Sequence, residues 1–280
     1  MPRPRRRWAP SCRSANRTSA ASIDPMSDIR IEGLSNFRSL AGLPGADGRR
    51  IDGHVILRSD RLNRLTDADW TQLRALGLRT VCDLRGADER ERHPNRYPDD
   101  GGVDELWLEV KNDLRGNPMY LRMFAEDPTP AGAERVMQQI YRSFPAAFTT
   151  QLPQLFALLH EERVPVLIHC AAGKDRTGFV VALLLHALGV PEAVIVEDYL
   201  RSTPPDPHPR AAEMMREFEQ LFGFAIDAAT LRPLLDVRTS YLTAAFDELD
   251  ARYGSIGEYL RRHGGLDHAQ RRRLQDRWLR

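Results

Sequence analysis

Residues 164–178 read VPVLIHCAAGKDRTG, and the order of residue types within them decides the fold. Val164, Val166, Leu167 and Ile168 form a short, β-branched-rich apolar run, the composition of a strand buried on both faces of a mostly parallel sheet. Thr177 to Leu188 is apolar nearly all round, through Phe179, Val180, Val181, Leu183, Leu184 and Leu185, as a helix at the centre of a core must be. Gly189 ends that helix and Pro191 opens the next. A tight loop between such a strand and helix aims successive backbone N–H groups and the positive helix end at one point, where an oxyanion can be held.

Cys170 opens the loop, and the field that would hold a phosphate there also favours thiolate over thiol. The backbone N–H groups of Ala171, Ala172, Gly173, Lys174, Asp175 and Arg176 are the candidate phosphate contacts, and the Arg176 guanidinium adds a planar fork matched to two phosphoryl oxygens. A nucleotide P-loop requires glycine where Ile168 stands and Ser or Thr where Asp175 stands, so that reading fails. A structural zinc site needs several Cys or His ligands at set intervals, whereas His169 and Cys170 are an adjacent pair without a second pair. His160, His186, His263 and His268 are scattered singly. No metal or cofactor is expected.

Cys170 and Arg176 at this spacing, with His169 before, Gly173 at the turn and Thr177 after, resemble the signature loop of the cysteine-dependent protein-tyrosine phosphatase superfamily. Asn36-Phe37-Arg38, Leu57-Arg58-Ser59, Val81-Cys82-Asp83-Leu84-Arg85 and Glu197-Asp198-Tyr199-Leu200-Arg201 are similar to its atypical bacterial branch, so that the resemblance spans residues 30 to 265. That branch includes secreted phosphatases acting on phosphotyrosine, phosphoserine/threonine and phosphoinositides. The resemblance implies a phosphomonoester hydrolase: Cys170 as nucleophile, Arg176 holding the phosphoryl group, and Thr177 stabilising the returning thiolate. A sulfurtransferase-like thiolate enzyme and a catalytically silent phosphate-binding module are the alternatives; the arginine and threonine argue against both.

An alkoxide is a poor leaving group unless an acid protonates the departing oxygen. Asp113 follows the third strand, where the superfamily usually carries its acid, although Trp-Pro-Asp is absent. Asp175 inside the loop is the competing candidate, and the resemblance favours Asp113. Asp83 beside Arg85 is expected to be a structural ion pair and Asp198 an anchor behind the site. Lys174 would add attraction for a second phosphate or an inositol headgroup, or raise the potential around Cys170.

Away from the loop, strand and helix alternate as a parallel sheet requires. Strands are expected at 55–57, 78–84, 103–110 and 164–169, giving a four-stranded, mostly parallel α/β sheet flanked by helices. Helices are expected after a cap at Thr66 to Asp69, at 134–143 and 146–161, and through the C-terminal third, where Arg271, Arg272 and Arg273 read as a solvated face. Pro204, Pro205, Pro207 and Pro209 precede apolar residues at helical intervals (Met214, Met215, Phe218, Leu221, Phe222, Phe224); in the resembling branch helices here form a lid over the active site. Exposed, such a lid could touch lipid transiently.

The 280 residues, 42% hydrophobic and 28% charged, suffice for one substantial core, and the formal charge of +1 implies no bulk polyanion or nucleic-acid partner. Cys12, Cys82 and Cys170 make no disulfide framework, which suits a reducing, cytoplasmic setting. The first 25 residues hold Arg3, Arg5, Arg6, Arg7, Arg13 and Arg17 without a signal-peptide apolar stretch, and are expected to be a disordered tail. Residues 26–280 then form the phosphatase domain, with Met26 the expected start and 204–237 the candidate lid; the expected partner is a phosphorylated protein or phosphoinositide.

Overall fold

In the computed structural model the described residues are 29–99, 101–111, 117–161, 163–203, 211–223 and 225–280. The expected tail, Met26, the proline segment 204–210 and Asp113 lie outside them. Strands β1 (Arg38–Ser39), β2 (Ile56–Ser59), β3 (Thr80–Asp83), β4 (Asp104–Trp107) and β5 (Val166–His169) form a five-stranded sheet in the order β1-β2-β5-β3-β4. β2, β5, β3 and β4 are parallel, as expected. The fifth strand is a correction: β1 pairs antiparallel with β2 through two buried polar residues, too short and too polar for apolar alternation to betray it.

Side-chain alternation splits the core across the sheet. Leu57, Val81 and Leu167 face helix α1 (Asp67–Ala75), where Trp70 and Leu73 are buried. Ile56, Cys82, Val166 and Ile168 face the larger cluster, which includes residues of α4 (Pro130–Ala147), α5 (Leu152–His160) and α6 (Asp175–Ala187). α6 buries nearly its whole circumference, as its all-round apolarity demands. Thr66 caps α1 in a capping box with Asp69, and Gly77 leaves it at φ +78°.

The remaining helices are α2 (Ala87–Arg92), α3 (Pro118–Glu126), α7 (Glu192–Leu200), α8 (Ala211–Phe222), α9 (Ala228–Leu235), α10 (Thr239–Tyr253), α11 (Ile256–His263) and α12 (His268–Trp278). α8 lays Phe218 and Phe222 on Phe124 of α3, with ring centroids 5.8 and 5.2 Å away. Expectation and structure part at a helix boundary and at a surface arginine. α4 runs through Pro145 to Ala147 where a break was expected, and the Pro145 carbonyl is taken by the Tyr259 hydroxyl at 2.7 Å. Arg272 and Arg273 are exposed as expected, whereas Arg271 donates to the carbonyls of His186 and Ala187 and so caps the C-terminal end of α6.

The register places the site. Ser59 and Asp83 both pair with His169, and Asp83 pairs with Trp107, so four parallel strands end on one line. The loops leaving them meet at that carboxyl edge, where open α/β sheets bind ligands.

Candidate active site

The loop from Cys170 to Lys174 is held by its carbonyls. The Arg61 N–H donates to Ala171 O at 3.3 Å, and Asn36 Nδ2 donates to both Ala172 O and Gly173 O at 3.1 Å. Arg58 Nη2 adds a bond to Gly173 O at 2.9 Å. In a trans peptide C=O and the following N–H point opposite ways, so tying these carbonyls to residues 36–61 turns the amides of Ala172, Gly173 and Lys174 the other way. Gly173 is required twice over: its φ is +67°, and a Cβ would stand 2.3 Å from the Ser59 carbonyl oxygen.

Behind the loop lies a buried ion cluster. Asp198 receives Arg38 Nε at 2.7 Å and Arg58 Nη1 at 2.5 Å on separate oxygens, while both guanidinium groups also reach Ser202 Oγ. Burial pushes the Asp198 carboxyl up, but Arg58 and Arg38 outweigh it and hold it below the usual carboxylate range. Burial and the neighbouring Arg38 bring Arg58 down to about 10, opposed by Asp198 and by the Cys170 sulfur, so Arg58 stays charged at neutral pH within reach of that sulfur's field. Asp198 is therefore an anchor behind the site, with two arginines as its partners.

A second cluster sits below His169. Arg85 forks onto Asp83 with Nη2 to Oδ2 at 2.8 Å and continues to Asn95 Oδ1 at 2.7 Å. His169 Nε2 lies 3.7 Å from Asp83, yet burial lowers its pKa to about 4 against the pull of that carboxylate. His169 is thus neutral: Asp83 spends its charge on Arg85, and the imidazole bridges Cys170 O through Nδ1 at 3.2 Å and Asn95 Nδ2 at 3.4 Å.

Cys170 is buried, with 2% of its surface exposed, and Arg176, six residues on, has 6%. Both terminal nitrogens of Arg176 meet the Glu89 carboxylate, at 2.6 and 2.7 Å, and Nη1 leans toward the carbonyls of Leu84 and Val110. Glu89 also accepts from Gly86 N at the start of α2; burial raises its carboxyl, but Arg176 outweighs that and holds it low. The guanidinium plane is thereby set by α2. Thr177 Oγ1 is buried with no hydrogen-bond partner among the described residues.

Lys174 departs from its expected place as a cation offered to substrate. Its Nζ donates to Leu234 O at 2.9 Å and Asp236 O at 3.1 Å and lies 3.4 Å from Asp175 Oδ2, which ties the loop to the end of α9. Asp175, in the first turn of α6, accepts on Oδ1 from the Tyr141 hydroxyl at 2.8 Å. Glu89, Tyr141 and Tyr199 were not singled out by chemistry in the sequence. The acid three residues after Gly86, in the N3 place of a capping box, was the available signal for Glu89; nothing near Tyr141 in sequence points to Asp175.

A family model described as the tyrosine phosphatase family matches residues 29–280. A putative tyrosine-protein phosphatase from Cupriavidus necator is 32% identical, covering 90% of each chain. The triple specificity protein phosphatase PtpB from Mycobacterium tuberculosis is 36% identical, covering 88% of this chain and 96% of its own. Among solved structures, P. aeruginosa TpbA shares 18% identity at a TM-score of 0.33, covering 75% of this chain and 98% of its own. This chain belongs to the tyrosine phosphatase family and is a phosphatase enzyme.

Proposed function

We propose that the enzyme hydrolyses phosphomonoesters through a cysteinyl-phosphate intermediate, with phosphotyrosine as its first substrate and phosphoserine or phosphothreonine beside it. One observation carries this reading: the carbonyls of residues 171–173 are tied back, which turns their amides toward the side on which a phosphoryl group would lie over Cys170. Sγ attacks phosphorus in line, while the loop amides and Arg176 take up the charge redistributed onto the equatorial oxygens. The leaving oxygen takes a proton from a carboxylic acid, water then attacks the thiophosphate, and the S–P electron pair returns to sulfur. Thr177, a buried hydroxyl in want of a partner, suits the returning thiolate.

Asp175 is the acid this reading favours, because its carboxyl belongs to the loop and is oriented by Tyr141. Asp113 is the competing assignment, settled by comparing Asp113→Ala with Asp175→Ala. The variant that loses about 10²–10⁴-fold in turnover of a poor leaving group identifies the acid. The name of PtpB supports breadth of substrate, whereas the bonds of Lys174 to carbonyls weaken a phosphoinositide preference read from that lysine alone. The test is rapid mixing with p-nitrophenyl phosphate. A burst of p-nitrophenol stoichiometric with enzyme, lost in Cys170→Ser and untouched by chelators, is expected; turnover surviving in the serine variant would exclude the covalent route. A silent phosphate-binding module would bind phosphate and give neither burst nor turnover.

A further inference from the structure

We propose that Tyr141 and Tyr199 form a one-way hydrogen-bond chain that positions Asp175, making Oδ1 a fixed acceptor and Oδ2 the oxygen that carries the catalytic proton. The inference rests on the reading of Asp175 as the acid and assigns the two tyrosines as its positioning residues.

Both rings are buried to within 1% of exposure. The Tyr141 hydroxyl donates to Asp175 Oδ1 at 2.8 Å and stands 2.7 Å from the Tyr199 hydroxyl. Each phenol has a single proton to give. Were Tyr141 to give its proton to Tyr199, Asp175 Oδ1 would lose the donor that stands 2.8 Å from it. The satisfied arrangement runs from Tyr199 to Tyr141 and from Tyr141 to Oδ1. With Tyr141 donating, Oδ1 is an acceptor, and a proton on Asp175 then sits on Oδ2.

Packing keeps the terminus in place. Tyr141 lies edge-on to Tyr199 at 6.2 Å and tilted on Tyr241 at 5.6 Å. Gly178, one turn beyond Asp175 on α6, lacks the Cβ that would stand 2.9 Å from Tyr199 Cδ2, so the ring seats directly against the helix that carries Asp175. On the other side Lys174 Nζ approaches Oδ2 at 3.4 Å while its own donors go to Leu234 and Asp236 carbonyls. As the P–O bond breaks, its electron pair goes to the leaving oxygen, which takes the Oδ2 proton. Asp175 remains as carboxylate with Oδ1 still bound to Tyr141, and in the second step Oδ2 takes a proton from the attacking water as the S–P pair returns to Cys170.

Leaving-group dependence tests this, since a merely structural tyrosine would slow every substrate alike. For Tyr141→Phe, which deletes one oxygen from the same ring, kcat/KM is measured over aryl phosphates from 2,4-dinitrophenyl to unsubstituted phenyl. The expected result is a change within about twofold for the dinitrophenyl ester and a loss of about 10-fold or more for phenyl phosphate. Tyr199→Phe is expected to act in the same direction and less. In an Asp175→Asn background Tyr141→Phe should add nothing, as residues of one unit are non-additive. Equal losses across the series, or none, overturn the proposal. So does an Asp175→Asn variant whose dependence on leaving group is unchanged, and in that case a persisting burst leaves the cysteinyl-phosphate reading standing. Absence of a burst in the unsubstituted enzyme would overturn both.

Discussion

The loop around Cys170 is gripped from two sides that are built differently. On one side Arg38, Arg58 and Asp198 form an ion cluster, each member at most 4% exposed, that holds the loop's main chain. On the other, Glu89 of α2, Tyr141 of α4 and the carbonyls at the end of α9 hold the side chains of Arg176, Asp175 and Lys174. The first side fixes where the amides are; the second fixes where the reacting groups point. Removing one member of a fully buried charge cluster strands the others without solvent, whereas the Glu89 side chain is 22% exposed and its loss is eased by water. The two sides should therefore fail differently, one in stability and the other in rate.

Asp198→Ala should break the fold side of this contrast most severely, costing about 3–5 kcal/mol in urea unfolding because two buried guanidinium groups lose their counter-ion. A cost below about 1 kcal/mol would mean that the cluster is not the clamp. Arg176→Lys is the corresponding blow to the chemical side. Without the fork, kcat/KM should fall about 10²–10³-fold while the urea midpoint moves little. A comparable loss of stability would merge the two sides into one.

The neutral His169 sharpens the picture through pH. Its folded pKa of about 4 lies below the unfolded value of 6.5, so the unfolded chain binds the proton first. Stability is then complete above pH 6.5 and is lost as the pH falls toward 4, by up to about 3 kcal/mol for this one group. His186, also lowered to about 4 by burial, adds a second proton of the same sign. His169→Asn should flatten the unfolding free energy between pH 6.5 and 4 by about one proton's slope; an unchanged slope would mean that His169 is charged in the fold. The smallest effect belongs to Glu89→Gln, which keeps the shape and loses the charge. It should lower kcat/KM by about 10-fold with stability within about 1 kcal/mol, and a thermal melt beside the kinetics checks both.

What the sequence revealed follows how local each feature is. Cys170, Gly173, Arg176 and the helix behind them lie within one short stretch, where a strand, a turn residue and an apolar helix each leave their own signal. The ion pairing of Asp83 with Arg85 was legible for the same reason, being two residues apart. The partners of Asp175 and Arg176 were not. Tyr141 and Glu89 approach from separate helices, and only packing brings them there, so periodicity shows them as an ordinary core aromatic and an ordinary helix-capping acid. Lys174 was placed correctly in the loop but not in its bonds, because the accepting carbonyls lie some sixty residues on, with separations of 60 and 62. Arg58 and Asp198 stood out as pieces of family resemblance; their pairing across 140 residues needed the fold.

The central claim is that one sulfur accepts the phosphoryl group. Its most direct test is acid quenching during turnover of a labelled aryl phosphate, followed by peptide mapping of the enzyme. A single phosphorylated peptide is expected, the one containing Cys170, whose label is absent from Cys170→Ser and accumulates if the second step is slowed by Asp175→Asn. Label on another residue, or full turnover with no labelled enzyme at all, would contradict it.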